Sequence, residues 1–146
     1  MNANKVKILI LCTGNSCRSQ MAEGFMKSFH ENIIAFSAGT APSGEIHPKA
    51  IRVMNEIGID ISNGNPKSVD EFINDHFDYV ITVCDGAKEV CPVFKGDVKH
   101  QLHIGFDDPA DATGSEEEIV AVFRRVRDEI KEDFYKFYMD KVKPGI

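Results

Sequence analysis

The stretch Cys12-Thr13-Gly14-Asn15-Ser16-Cys17-Arg18-Ser19 joins a continuous apolar run, Val6 to Leu11, to a segment with helical spacing, Gln20 to Phe29. An unbroken apolar run is typical of a strand in a parallel sheet, because both faces of such a strand are covered. In the second segment the apolar residues recur every three or four positions, which predicts an amphipathic helix. We therefore predict a strand, a polar loop and a helix, with the loop at the sheet edge where parallel sheets bind ligands.

The alternation of strands and helices continues along the rest of the chain. We predict strands at 33–37, 77–83 and 98–104, and helices at 48–57, 68–74 and from Ser115 onward. Ser115 and Glu118 form a capping-box pattern at the start of the last helix. Four strands alternating with helices predict a three-layer α/β/α fold around a four-stranded parallel sheet. At 146 residues the chain suits one domain, over positions 1–146.

Charge and hydropathy argue against two classes of protein. The formal net charge is −6, and the chain lacks the broad basic face of a nucleic-acid-binding protein. Its longest apolar run is too short to span a membrane, and no signal-peptide cleavage pattern follows it. We therefore expect a cytoplasmic protein with neither nucleic-acid nor membrane partners. Because thiols stay reduced in the cytoplasm, its four cysteines are more often catalytic, metal-binding or redox-active than bridged.

The polar loop has the composition of an oxyanion site. Its amides can form an anion-binding nest, for which Gly14 would supply backbone freedom, and the following helix contributes its positive N-terminus. Arg18 offers a planar fork for two oxygens of a phosphate-like group. The same positive field would lower the pKa of Cys12 and make it a nucleophilic thiolate. Ser19 could donate to that sulfur, and Asn15 could hold the loop open.

Two alternatives concern the cysteines of the loop. A cysteine and an arginine five residues apart also occur by chance, so Cys12 could be a buried structural residue and Arg18 a surface one. The preceding strand, the glycine, Ser19 and the following helix favour the oxyanion site over that interpretation. Cys17 has no distinct task in the chemistry, and we interpret it as a spare loop cysteine.

The run from Cys12 to Gly24 resembles the thioredoxin-coupled arsenate reductases, which share the low-molecular-weight tyrosine phosphatase fold. The similarity extends to Ser37-Ala38-Gly39, to Gly58-Ile59-Asp60-Ile61-Ser62 and to Arg125-Val126-Arg127-Asp128-Glu129-Ile130. It implies arsenate, or a phosphate-like oxyanion, as substrate and thioredoxin or a similar dithiol protein as reductant. We also expect a monomer with no cofactor and no metal.

An acidic pair follows the last predicted strand, in Phe106-Asp107-Asp108-Pro109. Displacing an oxygen from arsenate or phosphate requires a proton on the leaving group, so a carboxylic acid near the anion is useful. The resemblance places the general acid at the aspartate before proline, Asp108. Asp107 is the alternative, and a simple Asp-Pro turn is a third interpretation.

Cys84 and Cys91 lie seven positions apart after the predicted strand 77–83. In a helix their Cα atoms would be roughly 10 Å apart, whereas a disulfide needs about 4.4–6.8 Å. The pair could therefore bridge only if the segment unwinds, which Gly86 and Pro92 favour. The resemblance makes them the redox pair. The alternatives are two buried apolar cysteines, or a zinc site for which the spacings fit poorly.

Two histidines, His100 and His103, offer a further set of possible ligands or bases. They alternate along a weak predicted strand, and we expect them on its solvated face.

The resemblance implies a relay that starts at Cys12. After Cys12 attacks arsenic, Cys84 attacks Cys12, and Cys91 then attacks Cys84. A phosphatase of this fold needs only Cys12, Arg18 and Asp108, so the second cysteine pair favours a reductase with side phosphatase activity. Against a dedicated phosphatase, Ala110 stands where phosphatases usually carry an aromatic residue. A binding module that senses anions or redox state, with no need of the acid, is a third class.

Several reductases of this kind hold a potassium ion beside the loop. The resemblance assigns Asn15 and Glu23 to that site, together with an acidic residue whose position Lys67 occupies here. A lysine ammonium would repel a metal cation, and it could instead donate to Glu23 and to loop carbonyls. We expect Lys67 either to take the place of the ion or to point to solvent, as most lysines do.

Overall fold

A computed structural model describes residues 5–85 and 94–146. The strands are β1 (Val6–Cys12), β2 (Ile33–Gly39), β3 (Phe77–Thr82) and β4 (Val98–His103). The helices are α1 (Arg18–Phe29), α2 (Pro48–Asn55) and α3 (Glu116–Phe137), with 3₁₀ turns at Val69–Glu71, Pro109–Asp111 and Lys143–Gly145 and a π turn at Tyr138–Val142. The segment predicted as a helix at 68–74 forms only the short turn Val69–Glu71, in which Asp70 N donates to Ser68 Oγ.

The four strands form one parallel sheet in the order β2-β1-β3-β4, which confirms the predicted fold class. β1 is a central strand, and its residues Ile8 to Leu11 are completely buried, as the apolar run predicts. At the carboxyl edge of the sheet, Cys12 pairs with Gly39 of β2, and Leu11 pairs with Thr82 of β3. This pairing brings the ends of β1 and β3 together, so the loop after Cys12 lies beside Cys84.

α3 packs against both α1 and α2, while α1 contacts β1 and β2. The predicted capping box is present: Glu118 N donates to Ser115 Oγ at 3.2 Å, and Ser115 N donates to Glu118 Oε1 at 3.1 Å. The apolar face of α3 is buried as expected, although Val120 is more deeply buried than its neighbour Ile119. No helix of the described ranges is both long and apolar enough to cross a bilayer.

A buried arginine of α3 forms hydrogen bonds with the end of α2. Arg127 is 8% exposed, and its Nη1 donates to the Val53 carbonyl and to Glu56 Oε1, each at 2.9 Å. The Val53 carbonyl lies in the last turn of α2, where helices leave carbonyls without an intrahelical donor. The hydrogen bond from Arg127 therefore satisfies a polar group that would otherwise be buried without a partner.

Replacing Arg127 with methionine is expected to lower the free energy of unfolding by about 1–3 kcal/mol, the penalty for a buried acceptor that loses its donor. Methionine keeps most of the aliphatic stem, so the loss reports on the guanidinium. Urea unfolding measures it, with Lys131→Met, at an exposed position of the same helix, as the control. An unchanged unfolding midpoint would show that Val53 needs no donor from α3.

Candidate active site

The loop between β1 and α1 is shaped by hydrogen bonds to its outer side. The Cys12, Thr13, Gly14 and Ser16 carbonyls accept from the backbone N–H groups of Thr40, Ala41, Ser43 and His47 at 2.9–3.1 Å. Because the two dipoles of a trans peptide point in opposite directions, the N–H groups that follow these carbonyls point into the loop. The result is an inward-facing nest of amides, the predicted arrangement for an oxyanion.

The left-handed residue of this loop is Asn15, with φ of 53°, and the expectation that Gly14 would supply the backbone freedom is wrong. Asparagine tolerates this conformation better than most residues, and its side chain is fixed on several sides. Its Nδ2 donates to Ser19 Oγ at 2.7 Å, while its Oδ1 accepts from Lys67 N at 2.9 Å and from Gln20 Nε2 at 3.2 Å. Asn15 is therefore the side chain that fixes the shape of the loop, as predicted in outline.

The end of β2 passes so close to the loop that position 39 has no room for a side chain. A Cβ there would collide with the Thr13 carbonyl. The same carbonyl accepts from Ala41 N at 2.9 Å. Gly39 thus lets the chain after β2 run along the loop and bind its outward carbonyls.

Cys12 is 3% exposed, and its sulfur lies inside the nest. Asn15 N donates to it at 3.1 Å, and Ser19 Oγ is 2.8 Å away, so the predicted Ser19 contact is present. Burial raises the pKa of Cys12, and the hydrogen bonds from Ser19 and Asn15 oppose that rise. The expectation of a lowered pKa is therefore wrong for the loop in this state. The physical reason is that burial disfavours the charged thiolate.

Removal of the Ser19 hydroxyl should make Cys12 less reactive. Hydrogen bonds to a charged group contribute about 1.5–3 kcal/mol, so Ser19→Ala should slow alkylation of Cys12 at neutral pH by roughly tenfold or more. Because the lost bond favours the thiolate, the pKa of Cys12 should rise and the alkylation midpoint should move to higher pH.

Iodoacetamide labelling measures this effect in a Cys84→Ser, Cys91→Ser background. Burial raises the pKa of the remaining Cys17 to about 12, so Cys17 should contribute little signal. Ser28→Ala is the matched control, since Ser28 lies on the same helix and donates to the Phe25 carbonyl. Equal labelling of the Ser19 variant and the control would mean that Ser19 does not favour the thiolate.

Arg18 opens α1 at the rim of the nest. Its Nη1 donates to the Phe106 carbonyl at 3.0 Å, and its Nη2 lies 3.4 Å from Asp108 Oδ2. The structure thus brings Arg18 and Asp108 together, as the acid hypothesis requires. Asp108 also accepts from Ala110 N at 3.0 Å, which fixes its carboxylate at the start of the turn Pro109–Asp111. Asp107 instead pairs with Arg125, and its side chain is 77% exposed.

Cys84 lies at the same edge of the sheet and is 5% exposed. Its Sγ is 3.4 Å from Thr13 Oγ1, and its charge contributes to the raised pKa of Cys12. Thr13, which follows Cys12 in the sequence, therefore contacts Cys84 through its hydroxyl. Cys91, with Gly86 and Pro92, lies outside the described residues, so the unwinding of this segment stays a prediction.

A cleft of about 540 Å³ opens over these groups. Besides Thr13, Arg18, Cys84 and Asp108 it is lined by several residues to which the sequence assigns no role in the site: Asp85, Asp111, Arg125 and Glu129. Arg125 and Glu129 belong to the motif that carried the resemblance, but helical periodicity identifies only their helix. Of the two histidines, His103 has partners, with Nδ1 2.8 Å from Thr82 Oγ1 and Nε2 3.3 Å from Asp85 Oδ1, while His100 stacks on Tyr79.

The Lys67 hypothesis is wrong in its main contact. The Lys67 ammonium donates to the Asn65 carbonyl at 2.9 Å, whereas Glu23 accepts from Lys27 Nζ and Ser37 Oγ, each at 2.6 Å. Lys27 follows Glu23 by one helical turn on α1 and therefore reaches it directly. With the Asn15 and Glu23 oxygens already bound to protein donors, these residues do not fit a potassium ion in this arrangement.

A family model described as low molecular weight phosphotyrosine protein phosphatase matches residues 7–144. The chain belongs to this family. Within it, the chain is 49% identical to an arsenate reductase of Halalkalibacterium halodurans over 128 residues, which cover 87% of this chain and 91% of that protein.

Two solved structures of arsenate reductases are also similar to this chain. One is an arsenate reductase in a phosphate-binding state, with a TM-score of 0.77, 34% identity, and coverage of 92% of this chain and 97% of that one. Another is a thioredoxin-dependent arsenate reductase of Corynebacterium glutamicum, with a TM-score of 0.65, 25% identity, and coverage of 97% and 66%. The recognition of this family from residues 12–24 is therefore confirmed.

Proposed function

We propose that this protein reduces arsenate to arsenite by a relay through Cys12, Cys84 and Cys91. The observation that carries the proposal is the placement of a buried cysteine from outside the loop, Cys84, at the rim of an oxyanion nest, with its sulfur 3.4 Å from the hydroxyl of Thr13. A phosphatase has no use for a thiol at that point. The names of the similar proteins support the same activity.

The first step is attack on arsenic. Arsenate binds in the nest, with Arg18 pairing with two of its oxygens. Cys12 attacks as a thiolate, with Ser19 and the Asn15 amide donating to its sulfur. Asp108 gives its proton to the departing oxygen, which leaves as water, and an S–As bond forms at Cys12.

The second step transfers the electrons. The thiolate of Cys84 attacks Cys12 Sγ, and the electron pair of the S–As bond passes to arsenic. As(V) thereby becomes As(III) and leaves as arsenite, while a Cys12–Cys84 disulfide forms. Cys91 then attacks Cys84, which frees Cys12 and leaves a Cys84–Cys91 disulfide. Thioredoxin or a similar dithiol protein reduces that disulfide, in a cytoplasm that keeps thiols reduced.

A mass-spectrometric disulfide map after one arsenate turnover tests the relay. The reduced protein receives one equivalent of arsenate without a reductant, and free thiols are then blocked. We expect one arsenite released per chain, a Cys84–Cys91 bridge and a blocked Cys12. A protein incubated with phosphate, which cannot oxidise thiols, is the control. Arsenite release with no cysteine bridge, or no arsenite at all, would rule out the relay.

Side phosphatase activity follows from the same nest. Phosphoryl transfer needs only Cys12, Arg18 and Asp108. The Cys12 sulfur is hydrogen-bonded to Ser19, and the Asp108 carboxylate lies beside Arg18. The exposed residue after Pro109 is Ala110, so this position provides no aromatic surface for a phosphotyrosine ring. We therefore propose hydrolysis of small aryl phosphates as a minor activity.

A further inference from the structure

Two arginines from different helices hold the peptide that carries the proposed acid. Arg18, at the start of α1, binds the Phe106 carbonyl and lies 3.4 Å from the Asp108 carboxylate. Arg125, in α3, donates from Nη2 to Asp107 Oδ2 at 3.3 Å. Arg18 thus contacts the first and third residues of the stretch from 106 to 108, and Arg125 contacts the second.

The contacts made by Arg18 compete with its proposed task. A guanidinium is planar, so a two-bond pair with oxyanion oxygens fixes the orientation of all five of its N–H donors. We expect the contacts of Arg18 with Phe106 and Asp108 to weaken when the guanidinium turns toward an oxyanion in the nest. At that moment the acid loses the residue that orients it in this structure.

Arg125 is placed so that it does not depend on the anion. Its Nη1 donates to Glu129 Oε2 at 2.8 Å, one turn further along α3. The helix itself is anchored by Val126 and Ile130, which are completely buried. Both Arg125 and Glu129 line the cleft. α3 therefore presents a second guanidinium to the acidic peptide, independent of the one on α1.

We propose that Arg125 is a positioning residue, which holds Asp107 and thereby keeps the neighbouring Asp108 directed at the leaving oxygen while Arg18 binds the oxyanion. The inference rests on the proposed role of Asp108. Arg125 binds no substrate oxygen in this scheme and acts only through the peptide of the acid. Its contribution should therefore appear in the protonation of the leaving group and not in anion affinity.

Aryl phosphates separate these two effects, because their leaving groups differ in the need for a proton. Arg125→Gln should lower kcat/KM for phenyl phosphate by about three- to tenfold, a modest effect suited to an exposed ion pair that positions a group. For p-nitrophenyl phosphate, whose leaving group needs less help, the loss should be smaller. The inhibition constant of inorganic phosphate should change by less than about twofold, since anion binding is left to Arg18 and the nest.

Three further variants make the test specific. Asp107→Asn should reproduce the Arg125→Gln losses, and the double variant should be no worse than either single one. In an Asp108→Asn background, Arg125→Gln should have no further effect. Arg124→Gln is the matched control, because this neighbouring arginine binds Glu56, the residue that follows α2, and does not line this cleft. Melting temperatures of all variants show that they fold.

The outcomes distinguish this inference from the proposed function. A rise in the phosphate inhibition constant equal to the loss in kcat/KM would show that Arg125 binds the anion, and a loss that persists without Asp108 would show that it does not act through the acid. Either result overturns the inference. Failure of the wild-type protein to reduce arsenate, with these phosphate results intact, would overturn only the proposed reductase. Absence of both activities would overturn both.

Discussion

Replacing Cys84 with serine is expected to lower steady-state arsenate reduction by about a thousandfold or more, because the arseno-cysteine at Cys12 then lacks the thiol proposed to resolve it. Serine keeps the size of the side chain and can keep the contact that Cys84 makes with Thr13 Oγ1 at 3.4 Å. The buried packing around position 84 should therefore persist. The expected loss is chemical, not structural.

The measurement couples arsenate reduction to thioredoxin, thioredoxin reductase and NADPH, and follows the consumption of NADPH. Hydrolysis of p-nitrophenyl phosphate by the same sample is the internal control, since it requires the nest, Arg18 and Asp108 but no second cysteine. The Cys84→Ser protein should keep that hydrolysis within about threefold of wild type. Steady arsenate reduction at the wild-type rate would contradict the relay, and loss of both activities would point to damage of the nest.

The fold could be predicted from the sequence because its deciding signals are local. The apolar run before Cys12 needs both faces covered, and the helical spacing after Arg18 needs one face covered, so the two together specify a strand and a helix around a loop. The capping box at Ser115 is equally local, and it is present with both of its hydrogen bonds. Weak segments such as 68–74 depend on tertiary contacts instead, and there the sequence overestimated the helix.

The errors at the site have a common physical origin, which is that each depends on contacts between distant residues. The pKa of Cys12 follows from its burial, and the sequence alone could not say how deeply the loop lies. Asn15 adopts the left-handed conformation because Ser19, Gln20 and Lys67 bind its side chain, and Lys67 is far away along the chain.

The role proposed for Arg125 also depends on a contact between residues that are distant along the chain. Arg125 faces the cleft only because α3 passes beside the acidic peptide after β4. Chemistry that is encoded in one continuous motif could therefore be read from the sequence. The residues that support that motif from other elements could not.

Replacing Asp108 with asparagine is expected to lower kcat for arsenate reduction by about 10²- to 10⁴-fold, the usual contribution of a general acid. Asparagine keeps an oxygen that can accept from Ala110 N, as Asp108 does at 3.0 Å, so the turn that follows should keep its shape. It also removes a charge that pairs with Arg18, which frees the guanidinium for the oxyanion. KM for arsenate should therefore stay constant or fall while kcat decreases. A variant that had lost folding and binding would not give that pattern.

Two aspartates of the same neighbourhood serve as controls for this prediction. Asp111→Asn changes an acid that lines the cleft but does not pair with Arg18, and it should leave kcat within about threefold. Asp107→Asn should cause only the modest loss expected from its link to Arg125. If Asp107→Asn instead abolished turnover while Asp108→Asn left it nearly intact, Asp107 would be the acid. The 3.4 Å approach of Arg18 to Asp108 would then serve only to close the cleft. Asp107 and Asp108 are adjacent and carry the same carboxyl group, so the two variants differ only in where that group lies. The structure favours Asp108 as the acid because its carboxylate is the one beside Arg18.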